Sequence, residues 1–249
     1  MKANQTKLQG FTLVELTIVM VIVALLLGGL LVPLSAQQDV RQLAETEKQL
    51  AETRDALVGY AQINGRLPCP ASNQNGKENR DAGTLQCATL FGFLPWVDLG
   101  VRPSDPWGRL ISYRVSSAFS QSGTNGTYPV LTTLSAAQLK IQGHNTDNSY
   151  PDLTNDAPRE VVFVVLSHGK NGYHGTNTDG SAGPADTGIT NPDEDINRNA
   201  VTAIANTIFI SRTFTPNGAP TVGAFDDQLL WVPRSVLINR LITAGKITG

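Results

Sequence analysis

Cysteine is nearly absent from this sequence. The two that occur, Cys69 and Cys87, are too far apart for a CxxC redox pair and lack the further ligands of a zinc site. One disulfide is the reading their number supports, and two free buried thiols is the competing one. An excess of either charge is also missing: 19 Lys and Arg against 21 Asp and Glu leave a net −2, so no global basic field is available to attract nucleic acid. No internal repeat divides the chain. At 249 residues it slightly exceeds a typical single domain, but its first third reads as one long helix and leaves material for one globular head.

What the chain does have is a long apolar run. Residues 1–10 carry Lys2 and Lys7 and no acid, and a nearly unbroken apolar stretch follows from Phe11 to Leu34. A secretory signal has a shorter apolar core; this one approaches the roughly 20 residues a helix needs to cross a bilayer. The lysines place the N-terminus in the cytoplasm and everything after Leu34 outside. Cleavage after Ala36, releasing a soluble domain, is the alternative, but Leu34 stands where a small residue is expected. Inside the run Glu15 puts an ionisable group in hydrocarbon, which calls for a partner. A new α-amino group on Phe11, cationic near neutral pH, would be one. Pro33 removes a helical hydrogen bond to Gly29, so a kink or loosening is expected there.

The segment Gly10-Phe11-Thr12-Leu13-Val14-Glu15, preceded by a short basic leader and followed by the apolar run, closely resembles the processing site of the type IV pilin superfamily, which includes type II secretion pseudopilins. The resemblance implies cleavage between Gly10 and Phe11 by a membrane-embedded prepilin peptidase, with methylation of the Phe11 amine. It also implies that the run is kept as an anchor among the lipids of a bacterial inner membrane. The head then lies in the periplasm, and the chain joins other pilin or pseudopilin subunits through an inner-membrane assembly platform. Glu15 takes the role of neutralising a neighbouring subunit's terminal amine.

The resulting organisation is a leader, 1–10; a transmembrane and assembly helix, 11–34; its amphipathic continuation, 35–63; and a pilin-like head, 64–249. Val40, Leu43, Leu50 and Leu57 recur along one face of the continuation and predict a seat for the head's sheet. Asn64-Gly65 before Leu67-Pro68 ends the helix. Residues 66–96 read as a long loop holding both cysteines. Strand-like runs follow at 110–116, 128–133, 161–166, 207–212 and 229–232, and a short helix at 235–244 closes the chain. Without long helices between the strands, the fold class is α+β, with an antiparallel sheet laid on the long N-terminal helix. Ser104-Asp105-Pro106-Trp107-Gly108-Arg109 and Leu166-Ser167-His168-Gly169-Lys170-Asn171-Gly172 resemble the major pseudopilin of type II secretion. Longer insertions and a larger head point to a specialised or minor subunit.

Candidate chemistry is limited. Asp179, Asp193, Asp195 and Asn197 gather in a Gly- and Pro-rich stretch, offering oxygen ligands that suit calcium, and the alternation 193, 195, 197 imitates the first half of an EF-hand. A solvated acidic loop is the competing reading, since Arg198 and Ile204 stand where the EF-hand needs Gly and Glu. His168 and His174 flank a turn, with no motif that assembles a nucleophile, base and oxyanion donor. Trp96, Trp107 and Trp231 with Phe91, Phe93 and Tyr113 read as core rather than as a stacking platform, because no Lys or Arg cluster accompanies them. The expectation is a non-enzymatic filament subunit. A membrane-anchored or secreted periplasmic binding domain or enzyme that does not polymerise is the alternative.

Overall fold

The computed structural model describes residues 10–120, 139–154, 160–184, 192–202, 207–215 and 223–246, with the backbone alone for 27–36. Two compact units form, Met1–Ala44 and Glu45–Gly249. Helix α1 spans Leu13–Asn64 and is unbroken at Pro33. It stops where expected: Gly65 turns left-handed at φ 69°, and its amide bonds the Ala61 carbonyl at 2.8 Å, a turn that glycine makes without a Cβ penalty.

In the second unit the sequence folds into α+β. Strands β1 (Phe91–Phe93), β2 (Ser112–Val115), β4 (Val161–Ser167) and β6 (Gln228–Pro233) form an antiparallel sheet in the order β1-β2-β4-β6. Leu50, Leu57 and Ala61 of α1 are fully buried in one core with Tyr113, Val115, Phe163, Val165 and Val232. The predicted helical seat is therefore real at Leu50 and Leu57, where it faces one side of the sheet, but Val40 is 65% exposed and Leu43 is not part of that core. The other side buries Val164 and Leu166 against Ile141, Ala200 and Phe209. That sandwiching explains why β4 is a continuous apolar run: a strand covered on both faces has no polar face to alternate with.

The second face joins one expected strand to elements the sequence reading did not foresee. Strand β5 (Ile208–Ile210) lies within the expected run 207–212, but it pairs in parallel with the unforeseen β3 (Lys140–Gln142) in a separate two-stranded piece instead of joining the antiparallel sheet. Helix α4 (Pro192–Ala200) fills part of the stretch read as a metal-binding loop. Short helices α2 (Trp96–Leu99) and α3 (Ser117–Ser120) flank the sheet, and α5 (Arg234–Thr243) ends the described chain within a residue of its expected limits. The expected strand at 128–133 lies outside the described residues.

The loop after α1 is closed by the expected disulfide, Cys69 to Cys87, across a separation of 18 residues. Closing a loop of that size stabilises a fold by about 3 kcal/mol in the chain-entropy model. Glu78 sits inside this loop. It accepts bonds from both Arg66 terminal nitrogens at 2.9 and 2.8 Å, from the Cys69 amide at 3.1 Å and from the Tyr60 hydroxyl of α1 at 3.3 Å. Burial raises the Glu78 carboxyl, but the Arg66 bonds, the Cys69 amide and the charges of Arg66 and Arg80 outweigh it and hold the carboxyl at about 2.

A carboxyl held lower in the folded than in the unfolded chain contributes stability that is complete above the ordinary value of 4.5 and is lost as the pH falls towards about 2. Glu78→Gln should lower the melting temperature at neutral pH and flatten its fall across that acid window. Scanning calorimetry of the two proteins checks this. An acid limb as steep in the variant as in the parent would show that Glu78 is not its source.

Candidate functional site

The described residues bring one group of acids together where metal ligation is geometrically open. Glu194 of α4 and the consecutive Asp226 and Asp227, which lead into β6, each offer a carboxylate oxygen within 4.8 Å of the others, and all three are buried. The reason lies in α4. Pro192 occupies the first helical position, where its missing N–H costs nothing, and three acids fill the first turn, where the helix dipole favours them. A period of 3.6 residues then turns Asp193, Glu194 and Asn197 inward while Asp195 faces outward.

Each inward side chain has its own contacts. Glu194 accepts from the Asn171 amide nitrogen at 3.1 Å and from the Asp226 backbone at 2.9 Å. Asp226 accepts from the Asn171 backbone at 2.7 Å, and Asp227 from the Asn197 side chain at 2.9 Å. Asn197 also bonds both ways with Ile210 of β5, its oxygen accepting at 2.7 Å and its nitrogen donating at 3.1 Å, in the manner of an added strand residue. Gly169 turns left-handed at φ 59° beside Asp226, and a Cβ there would lie 2.4 Å from the Asp226 carbonyl. The glycine of the Ser-His-Gly-Lys-Asn-Gly turn thus lets this loop close over the acids.

The electrostatics are dominated by burial. Burial raises Glu194 to about 7 despite its amide bonds, with the neighbouring Asp226 charge adding to the rise. Burial also raises Asp226, and it raises Asp227 well above the usual range with help from the Glu194 charge. Asp226 Oδ1 and Asp227 Oδ1 are buried without a hydrogen-bond partner among the described residues. Leaving such atoms unmatched is costly, and a hard cation satisfies both at once. Anionic oxygen donors fit calcium or a similar ion by type, and no thiolate or neutral imidazole competes within the group.

The described residues do not bring the sequence-based ligand set together. Asp179 is exposed and bonds its own turn through the Ser181 amide and hydroxyl at 2.8 and 2.6 Å. Asp195 pairs with Arg198 at 3.0 Å and His174 at 3.2 Å. Asp193 is held by Arg212 Nε at 2.6 Å and His144 Nδ1 at 2.7 Å, with His144 stacked on Tyr150 at 4.3 Å. Only Asn197 touches the acidic group, through Asp227. Alternate residues converge as ligands on an extended loop, whereas on a helix positions i and i+2 point about 200° apart. A helix-start signal, Pro followed by acids, was the clue available in the sequence.

The two turns noted in the sequence meet beneath this group. Asp105 accepts from the amides of Trp107 at 3.0 Å and Arg109 at 2.9 Å, and its second oxygen accepts from the Ser167 hydroxyl at 2.6 Å. Close by, Ser112 Oγ lies 3.0 Å from His168 Nε2, and His168 Nδ1 lies 3.8 Å from Asp227. The order imitates a catalytic triad. Ser112 and His168 are 6% and 2% exposed, however, and burial lowers His168 to about 4, leaving a weak base. The arrangement ties β2 to the loop after β4. Tyr113 is likewise core, its ring 6.2 Å from Phe163.

At the N-terminal end, Gly10 precedes the helix with open space where a Cβ would stand. Phe11 is 92% exposed, and the apolar side chains described from Leu13 to Leu26 are exposed with it. Glu15 has a local role the sequence reading missed. It accepts from the Thr12 amide and hydroxyl, both at 2.9 Å, while Thr12 Oγ1 accepts the Glu15 amide at 3.2 Å, a capping box that starts α1. Among the described residues no helix is long and apolar enough to cross a membrane; side chains 27–34 of the expected span 11–34 lie outside that description.

Residues 6–31 match the family model of the prokaryotic N-terminal methylation motif. The match supports the type IV pilin-like reading of this segment. No curated protein and no solved structure matches the chain.

Asp193 is fully buried and has a guanidinium directly on it, that of Arg212 at 2.6 Å. Arg212→Ala should leave that carboxylate short of its counter-charge and cost about 3 kcal/mol or more, whereas loss of an exposed pair such as Lys48 with Glu52 should cost under about 1 kcal/mol. Denaturant midpoints of the two variants test the contrast. Equal midpoints would mean that the Asp193 pair contributes nothing to holding α4.

Proposed function

We propose that this chain is a structural subunit of an extracytoplasmic filament, a specialised or minor pilin or pseudopilin anchored in a bacterial inner membrane until assembly. The observation that carries the reading is the methylation motif at residues 6–31, centred on Gly10-Phe11 and Glu15. Nothing in the chain's own packing requires glycine at position 10, so the residue fits an external reader, a peptidase whose cleft admits only a bare backbone. The exposed apolar side chains from Phe11 onwards suit lipid first and neighbouring helices afterwards. An α1 whose outer half seats a sheet, as Leu50 and Leu57 do, suits a head carried on a stalk.

Mass spectrometry of the mature chain should find a methylated Phe11 at the N-terminus, and Gly10→Val should leave the precursor uncut. A mature chain beginning at Gln37 would remove the reading in favour of a secreted domain. Glu15 needs two variants because it both caps α1 and carries a charge. Glu15→Gln preserves the capping box but removes the charge, so it should be processed normally yet enter sheared filaments poorly, as should Glu15→Ala. Full incorporation of Glu15→Gln would show that its charge does not guide assembly.

We also propose that Glu194, Asp226 and Asp227 hold a calcium-type cation, which would draw on the carboxylate oxygens of all three and meet the orphaned Oδ1 atoms of both aspartates. Adding calcium to chelator-treated protein should raise its melting temperature by several degrees, and Asp227→Asn should abolish the shift. No calcium-dependent shift in the parent protein would sink this assignment and leave the filament reading untouched.

A further inference from the structure

The second unit carries a groove of about 400 Å³ between α1 and α5. Its rims follow helical spacing: Arg54, Val58 and Gln62 on α1, Val236 and Arg240 on α5, with Val232 of β6 as the floor. Two rims spaced by one helical turn, with an apolar floor between them, form the kind of seat into which a third helix lays a narrow face. Val236 is 46% exposed, so the seat is open. Arg54 already bonds Asp55 at 2.9 Å. Asp55 also lines the groove, so its two arginines and one acid leave it with an excess of positive charge, and Arg240 is the arginine without an ion pair among the described residues.

The complementary face is found on the same chain. Along α1, Val40, Ala44, Glu47 and Ala51 recur at intervals of three and four residues, clear of the face that carries Leu50 and Leu57 into the core. Val40 is 65% exposed, and Glu47 is exposed with no ion pair among the described residues. The face is narrow, made of small or β-branched residues, and bears one unpaired acid. We propose that the groove receives this face of α1 from a second copy of the chain, with Glu47 entering beside Arg240 and Val40 or Ala51 packing towards Val58 and Val236. An acid on a narrow helix meets a base on an open groove, and because the two lie on different parts of the surface the pairing can run head to tail, the type that propagates into a filament. The inference rests on the filament reading and supplies a specific contact within it.

A charge exchange in the full-length chain tests it. Arg240→Glu and Glu47→Arg should each reduce the processed chain recovered in sheared filaments by roughly tenfold, and the double variant should regain parental levels, because the two charges have changed places. Both residues are exposed, so melting temperatures should not move. Arg240→Lys should assemble. Single variants that assemble as well as the parent, or a double variant as poor as either single, would overturn the proposal while leaving the filament reading intact. A second readout works without filaments: co-expressed Glu47→Cys and Arg240→Cys chains should form a disulfide-linked dimer in the membrane. If the parent forms no filament and that dimer still appears, the contact stands and the filament reading falls. No dimer would overturn the contact.

Discussion

A carboxylate is not buried without compensation, and α4 buries two in succession. Asp193 meets a guanidinium and an imidazole, whereas Glu194 accepts from the Asn171 side chain and the Asp226 amide. The carboxylates of Asp226 and Asp227, of its own sign, lie within 4.8 Å of it. Much of the head's second face depends on how this is resolved. Asn197, one turn further along α4, extends β5; the loop at Gly169 closes over Asp226; and Asp227 leads directly into β6. Protons or a divalent cation can occupy the centre, and only the cation also satisfies the orphaned oxygens of both aspartates.

The N-terminal segment works under a different constraint. Its described apolar side chains from Phe11 to Leu26 find no core of their own, so their stability depends on surroundings the chain does not supply. Thr12 and Glu15 satisfy the first amides of α1 locally, which means the helix start does not wait for a partner. Farther along, the same helix buries Leu50, Leu57 and Ala61 beneath the sheet and presents other faces outward. One helix thus carries exposed apolar, core and outward-facing residues along its length. The disulfide and the Glu78 network act just after its end, where the chain leaves regular structure and has most conformational freedom to lose.

Sequence periodicity reached the elements whose cause is local. Leucines seven apart put the sheet's seat on α1, β-branched runs marked β4 and β6, and Asn64-Gly65 marked the helix end. It failed where the cause is not local. Strand β1 is three residues with a central glycine, made a strand by pairing with Arg114, Tyr113 and Ser112. Helix α4 carries mostly polar and charged residues and resembles a loop until its buried neighbours are known. Strands β3 and β5 were too short to reveal that they pair with each other in parallel.

By itself the sequence determined the class of the N-terminus, the long helix, the single disulfide and the α+β character of the head. Each rests on residues within a few turns of one another or on a count that leaves few choices. The acidic centre was decided by tertiary structure. Glu194 meets Asp226 across 32 residues, and Asn171 meets Glu194 across 23. No spacing rule connects such positions, because the chain between them runs through helix, strand and loop before returning. The groove beside α5 has the same origin, since Arg54 and Arg240 become neighbours only when the C-terminal helix docks beside α1. Periodicity records which face of an element is apolar; which faces meet depends on packing the whole chain.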